Sequence, residues 1–280
     1  MSSFAEMPAE FAPLITFENV RIGFDEGDIL RGVSFQVKPR ETLVLLGETG
    51  TGKTLTLKLA AGLLRPSSGA VHVLGYEVSA MPEKELLPFR RRIGFVFQEG
   101  ALFDSMPVAD NVAYRLREEG LPDTEIEPRV REVLRVVQLE HAIDQLPSEL
   151  SGGMRRRVAI ARALIDRPQI VFYDSPTAGL DPITAQAIIL LILQLRDVYG
   201  VTALLATHRL QDGFGLAHFR FEAETQGAVR VNGQPGSQSS PASPMSGTRL
   251  LVYREGRVYF EGDTEDIART QDSYLKRFLV

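Results

Sequence analysis

The segment GETGTGKT, residues 47–54, constrains the fold more than any other part of the chain. It matches the spacing G-x-x-x-x-G-K-[S/T] and stands between two elements of different pattern. Before it, ETLVLLG (41–47) is continuously apolar, as a parallel strand covered on both faces is. After it, KTLTLKLAAGLL (53–64) repeats Leu55, Leu59 and Leu63 at the spacing of one helix face. Strand, glycine turn and helix in this order form a phosphate cradle. The backbone N–H groups of Gly47, Glu48, Thr49, Gly50, Thr51 and Gly52 can curl around phosphate oxygens, and the helix N-terminus favours anionic charge. Lys53 can reach the outer phosphates of a nucleotide, and the Thr54 hydroxyl can ligate Mg²⁺.

The rest of the chain fits such a core. RIGFVFQ (92–98), QIVFYD (169–174) and VTALLATH (201–208) read as further buried strands. A helix lies between the last two, with Asp181 as its cap, Pro182 in its first turn and Gly200 at its end. Buried strands alternating with helices predict a mostly parallel α/β sheet. LITFENVRIGF (14–24) and GVSFQVKP (32–39) alternate apolar and polar residues, as half-exposed antiparallel strands do. Residues 110–146 read as helical and more polar, an inserted helical subdomain. Residues 225–247, rich in Gly, Ser, Pro and Gln, are expected to form a mobile or disordered loop. RLLVYREGRVYFEGD (249–263) reads as a hairpin turning at Glu255-Gly256, and the residues after it as a closing helix.

Composition narrows the function. A net charge of −5 argues against a dedicated nucleic-acid binder, and the absence of cysteine excludes disulfides and thiolate metal sites. No apolar run is long enough to span a bilayer, and the first residues do not read as a signal peptide. A cytoplasmic protein that docks onto a membrane partner remains consistent with this.

Asp174 ends an apolar strand expected to neighbour the strand of the cradle, which makes it a second candidate for Mg²⁺. LSGGMRRRVAIARAL (150–164) then narrows the class. It resembles the signature of ATP-binding cassette (ABC) ATPases, in which Ser151, Gly152 and Gly153 open a helix that addresses the γ-phosphate held by the opposite subunit. Arg155, Arg156 and Arg157 read best as a solvated, salt-bridged helix face. The resemblance implies a P-loop NTPase (RecA-like) α/β core with an antiparallel β-subdomain and an inserted α-helical subdomain at about 99–150. It also implies a single nucleotide-binding domain over 12–280, with residues 1–11 as a tail. ATP and Mg²⁺ are the implied ligands. Gln98 matches the glutamine that contacts Mg²⁺ and water, Asp181 closes AGLD (178–181), and His208 matches the switch histidine. Phe24 stands where an aromatic stacks on adenine, with core packing as the rival reading.

Within the family, FQEGALFDSMPVADNVAYRLRE (97–118) resembles the ATPase subunit of Mla-type phospholipid transporters, as do Met154 in LSGGM and GLDPIT (179–184). This implies two ATPase copies, or a copy and a relative, beneath integral-membrane permease subunits at the cytoplasmic face of the inner membrane, working with an MCE-domain lipid carrier. Leu102, Phe103 and Met106 are candidate permease contacts, with local core packing as the alternative. A non-transport ABC ATPase is the rival from another class.

Ser175 departs from the pattern. The family places a glutamate there to handle the attacking water, and a serine hydroxyl is no base near neutrality. General-base help is worth roughly 10²–10⁴-fold in rate, about 3–5 kcal/mol of barrier. His208 is the family-matched group able to exchange a proton near neutral pH. Three readings follow: slow hydrolysis with Ser175 positioning water, a degenerate partner in a heterodimer, or a nucleotide-gated clamp. The intact signature, Gln98 and His208 favour slow hydrolysis.

Overall fold

The computed structural model describes residues 12–25, 27–230 and 247–277. An antiparallel pair, β1 (Ile15–Phe24) and β2 (Gly27–Val37), precedes the first parallel strand, β3 (Thr42–Leu46), which leads into α1 (Lys53–Ala60). β4 (Ser68–Val73) and β5 (Tyr76–Glu77) return to the antiparallel sheet, giving the order β2-β1-β4-β5. α2 (Glu83–Arg90) and β6 (Ile93–Val96) lead to the helices α3 (Val108–Glu118) and α4 (Asp123–Val136). The chain then alternates through α5 (Gly152–Leu164), β7 (Ile170–Asp174), α6 (Pro182–Asp197), β8 (Thr202–Ala206) and α7 (Leu210–His218). A small hairpin of β9 (Phe219–Glu222) and β10 (Gly227–Arg230) follows. β11 (Thr248–Arg254), β12 (Arg257–Gly262), α8 (Thr264–Ala268) and α9 (Ser273–Lys276) complete it.

The main sheet runs β12-β11-β3-β8-β7-β6, parallel except for β12. Apart from Thr42 and Thr202 at their starts and Asp174 at an end, its central strands are apolar because each face serves a different core. Val44, Leu46, Val171, Tyr173, Ala203 and Leu205 join one cluster with α3 to α7. Leu43, Leu45, Ile170, Phe172, Leu204 and Ala206 join a second, with α1, α2 and the antiparallel sheet. Successive side chains on a strand point to opposite faces, so both faces favour apolar groups. The carboxyl ends of β3, β6, β7 and β8 meet at one rim, the usual place for a ligand in an open parallel sheet.

Several expectations need correction. β8 lies between β3 and β7, so Asp174 is not on the strand beside the cradle. It reaches the loop because α1 crosses over both β7 and β8. The stretch expected as a loop at 225–247 begins with a strand, since β10 pairs with β9 and packs on α6; residues 231–246 lie outside the described residues. The closing helix is two short ones, because Asp263 and Asp272 each cap a new start. α1 ends at Ala60, short of the expected residue 64, and Gly62 follows it with φ 63°. The reading also omitted α2, α7, β4, β5 and β9.

Candidate nucleotide site

The loop after β3 is shaped to leave donors open. Gly50 has φ 84°, and a Cβ built there would meet no atom within 4 Å, so its place faces open space. Gly52 has φ 100°, a left-handed conformation that suits glycine, and a Cβ there would lie 2.2 Å from Leu30 Cδ2. Gly52 is also the N-cap of α1, without a side-chain cap, and no acidic residue stands in the first turn. The first N–H groups of α1 are therefore free to meet an anion. Lys53 is buried, and its Nζ donates to the carbonyls of Gly47 and Glu48, both at 2.8 Å. Burial lowers its pKa, while Asp174 and Glu48 oppose that shift. Thr51 Oγ1 donates to the Glu48 carbonyl at 2.9 Å, tightening the same turn. Glu48, Thr49 and Gly50 are exposed.

Thr54 and Asp174 meet directly, the Thr54 hydroxyl donating to Asp174 Oδ1 at 3.0 Å. Burial pushes the Asp174 carboxyl up, and a hydrogen bond from Thr54, the Lys58 ammonium, Ser175 and Lys53 pull the other way. A hydroxyl beside a buried carboxylate, next to an open anion cradle, is a donor set suited to a hard divalent cation such as Mg²⁺.

Ser175 follows Asp174 in a left-handed turn, φ 48°, and its N–H donates to the Ala206 carbonyl of β8 at 2.8 Å. A non-glycine residue costs about 1–2 kcal/mol there, so the surrounding structure imposes this conformation. Ser175 is half-buried, while Gln98 after β6 and His208 after β8 are exposed. All three stand on the rim that carries the cradle. Phe24 lies at the end of β1, 57% exposed, which removes core packing as its role.

Among the described residues Ser151, Gly152 and Gly153 make no hydrogen bond to the cradle. Ser151 caps α5, its Oγ accepting from Met154 N at 3.2 Å. A Cβ at Gly153 would lie 2.3 Å from Thr184 Cγ2, so this glycine lets α5 close on α6. Asp181 caps α6 through the N–H groups of Ile183 and Thr184, at 3.1 and 3.0 Å. The described hydrogen bonds of these residues are local, and none reaches 47–54.

The reading of Arg155 to Arg157 as a salt-bridged, solvated face holds only in part: Arg155 is exposed, Arg156 is buried, and the hydrogen-bond partners of the three are not carboxylates. All three guanidinium groups bind backbone carbonyls, because their planar forks fit loop oxygens that lack helix or sheet partners. Arg155 donates to Leu150 O at 2.8 Å and Arg157 to Val137 O at 3.5 Å. Arg156 is buried and bridges Phe97 O (3.0 Å) to Ala178 O (3.3 Å), tying the segment before Gln98 to the turn after Ser175. Arg162 holds Gly100 O and Ala101 O, both at 2.7 Å. A run of arginines read alone signals charge, and only the fold shows that these act as carbonyl clamps.

In the segment that follows Gln98, the fully buried Asn111 side chain accepts from Phe103 N at 2.8 Å and donates to Met106 O at 2.8 Å, fixing residues 103–106. Leu63, Phe97, Phe103 and Tyr114 are each at least one-third exposed and line a groove of about 400 Å³. Phe103 thus faces the groove, whereas Leu102 packs half-buried against the core and Met106 is half-buried.

Comparison with known proteins agrees with this geometry. Residues 30–178 match the ABC transporter family model. The methionine import ATP-binding protein MetN of Brucella abortus (strain 2308) is 38% identical over 203 residues, covering 72% of this chain and 55% of that relative. The chain therefore spans about half the length of the curated relatives it matches first. Among solved structures, cbiO1 from Clostridium perfringens, part of the transporter complex cbiONQ, superposes with a TM-score of 0.75 at 26% identity, over 95% of each chain. The dimeric post-hydrolysis cassette MJ0796, bound to ADP and Pi, superposes with 0.71 at 27% identity, over 89% of this chain and 98% of that one.

Proposed function

This chain belongs to the ABC transporter family, and on that premise we propose that it is the ATP-binding subunit of a transporter, binding ATP with Mg²⁺, closing as a dimer and hydrolysing slowly. One observation carries the reading: Lys53 and the uncapped start of α1 form an anion cradle, and the Thr54–Asp174 pair stands at its mouth. Gly47 to Gly52 would hold the phosphates through backbone N–H groups, and Phe24 would offer its exposed ring to adenine. Thr54, Asp174 and Gln98 would hold Mg²⁺, which neutralises phosphate charge as the bond breaks. Ser151 to Gly153, with Asp181, would complete the site of a second subunit, a reading supported by hydrogen bonds that stay local and do not reach their own cradle. Ser175 would orient the attacking water by a hydrogen bond, and His208 would take up its proton.

Among the described residues no helix is long and apolar enough to cross a membrane. Coupling to transport would run through permease subunits seated in the groove beside Phe103, with the protein at the cytoplasmic face. For the cargo, the 97–118 segment supports a phospholipid and an MCE-domain carrier, while the name of the Brucella relative supports methionine. Analysing the small molecule retained by the purified transporter separates the two.

The central test is steady-state ATPase activity of the chain assembled with its permease. Slow turnover abolished by Lys53→Ala is expected. Wild-type turnover no higher than that of Lys53→Ala would leave the clamp or the heterodimer.

A further inference from the structure

Ser175 and His208 sit on separate turns, after β7 and β8, yet the two turns share one buried anchor. Asp212, on α7, is 2% exposed. Its Oδ2 accepts from Thr177 Oγ1 at 2.7 Å and from Thr207 Oγ1 at 2.7 Å. Thr177 is two residues after Ser175, and Thr207 is the residue before His208; both are buried. Arg209 completes the cluster. Its Nε lies 3.8 Å from Asp212 Oδ1, its Nη1 donates to Thr177 O at 3.3 Å, and its backbone N–H donates to Thr207 Oγ1 at 3.0 Å.

A carboxylate taken out of water is costly unless its oxygens are paired. Here one oxygen takes two hydroxyls, one from each turn, and a guanidinium stands beside the other. Each threonine hydroxyl spends its only proton on Asp212, so neither can donate elsewhere. Packing alone could hold two turns together, but it would not require a buried charge with one donor from each.

We propose that Asp212 is a positioning residue for ATP hydrolysis, locking the turn of Ser175 to the turn of His208 so that both side chains meet the γ-phosphate and its water in register. The inference rests on the hydrolysis reading above. Its weight comes from the serine: with no carboxylate to draw the water in, the reaction depends on where a hydroxyl and an imidazole stand. Small displacements of positioned groups are expensive, up to about 10²-fold in rate for about 1 Å. The phosphate cradle lies outside the cluster, so ATP affinity should not follow.

The experiment measures kcat, KM for ATP, ATP affinity and Tm on the assembled transporter. Asp212→Ala, Asp212→Asn, Thr177→Val and Thr177→Ser are each placed in the natural chain and in a Ser175→Glu background. Asp212→Ala is expected to lower kcat by about 10-fold or more, with KM and affinity within about two-fold. Asp212→Asn should recover most of kcat, because the amide oxygen can accept both hydroxyls. Thr177→Val should lower kcat while Thr177→Ser retains it, a pair that still reads the contact if Asp212→Ala does not fold. Unchanged kcat in Asp212→Ala, or parallel loss of kcat, affinity and Tm without rescue by Asn, would overturn the proposal. If only the Ser175→Glu background turns over, the slow-hydrolysis reading fails and the role of Asp212 is decided in that background. No turnover in either overturns both.

Discussion

Eight consecutive residues, 47–54, build the phosphate cradle, whereas the corner that would handle water is assembled from segments around residues 98, 175 and 208 and from Arg156 on α5. The cradle needs only what its own strand–turn–helix unit supplies: left-handed glycines, a helix start without a cap, and a lysine folded back onto two carbonyls. The corner depends on cross-links between distant segments, Arg156 between Phe97 and Ala178 and Asp212 between Thr177 and Thr207. A self-contained unit can hold its ligand while its surroundings change. A site made of cross-links can keep its backbone contacts while one side chain, such as Ser175, sets how well it handles water.

Four substitutions probe that contrast. The largest effect is expected from Ser175→Glu, which supplies a carboxylate where Ser175 stands. Turnover should rise by roughly 10²–10⁴-fold with ATP affinity nearly constant, by ATPase assay beside nucleotide titration. A parallel change in affinity would show that cradle and corner are not separable. Next comes Gly52→Ala, whose Cβ would lie 2.2 Å from Leu30 Cδ2 at a φ of 100°. Overpacking of about 1–3 kcal/mol, with the added cost of a left-handed alanine, should lower both Tm and ATP affinity. Normal ATP binding in this variant would mean that the loop tolerates a different backbone path.

Arg156→Met should cost about 1–3 kcal/mol of stability by removing the guanidinium that Ala178 O and Phe97 O both accept from, Phe97 O keeping only the Gly100 N–H. Denaturant unfolding measures that loss, and turnover should fall further than ATP affinity if the clamp serves the corner alone. The smallest effect belongs to Phe24→Ala. An exposed ring that stacks on a base contributes about 0.5–1.5 kcal/mol, so affinity for ATP should fall by roughly 3- to 10-fold with Tm unchanged. Equal affinity of the two chains would remove Phe24 from the site.

The same contrast explains what could be read from sequence. Leu43 to Leu46 announce a strand buried on both sides, and the glycines that follow have no comparable alternative use. Asp174 and Ser175 are legible for the same reason, as the abrupt end of an apolar run. α7 escapes notice because LQDGFGLAH carries two glycines and no clean helical stripe. α2 is half charged and holds Pro88, so only its packing against the core settles it. Asp212 sits inside α7, and an aspartate there reads as a solvated side chain until Thr177, 35 positions earlier, is brought against it. The order of strands across the sheet is likewise set by crossovers, which is why β8 intervenes between β3 and β7.

The place of β3 in the sheet has a consequence for how the molecule is made. Residues 42–46 pair on one side with β8, through 203–206, and on the other with β11, through 248–252. At a synthesis rate of about 5–20 residues per second, the strand that leads into the phosphate loop waits roughly 10–40 s for its last partner to be translated. Until then the ribosome carries a fully apolar edge, the kind of surface that holdase chaperones cover. The phosphate loop is encoded about 200 residues before the strand that completes its frame, so a nascent chain stopped before residue 248 lacks one wall of the sheet beneath its own candidate nucleotide site.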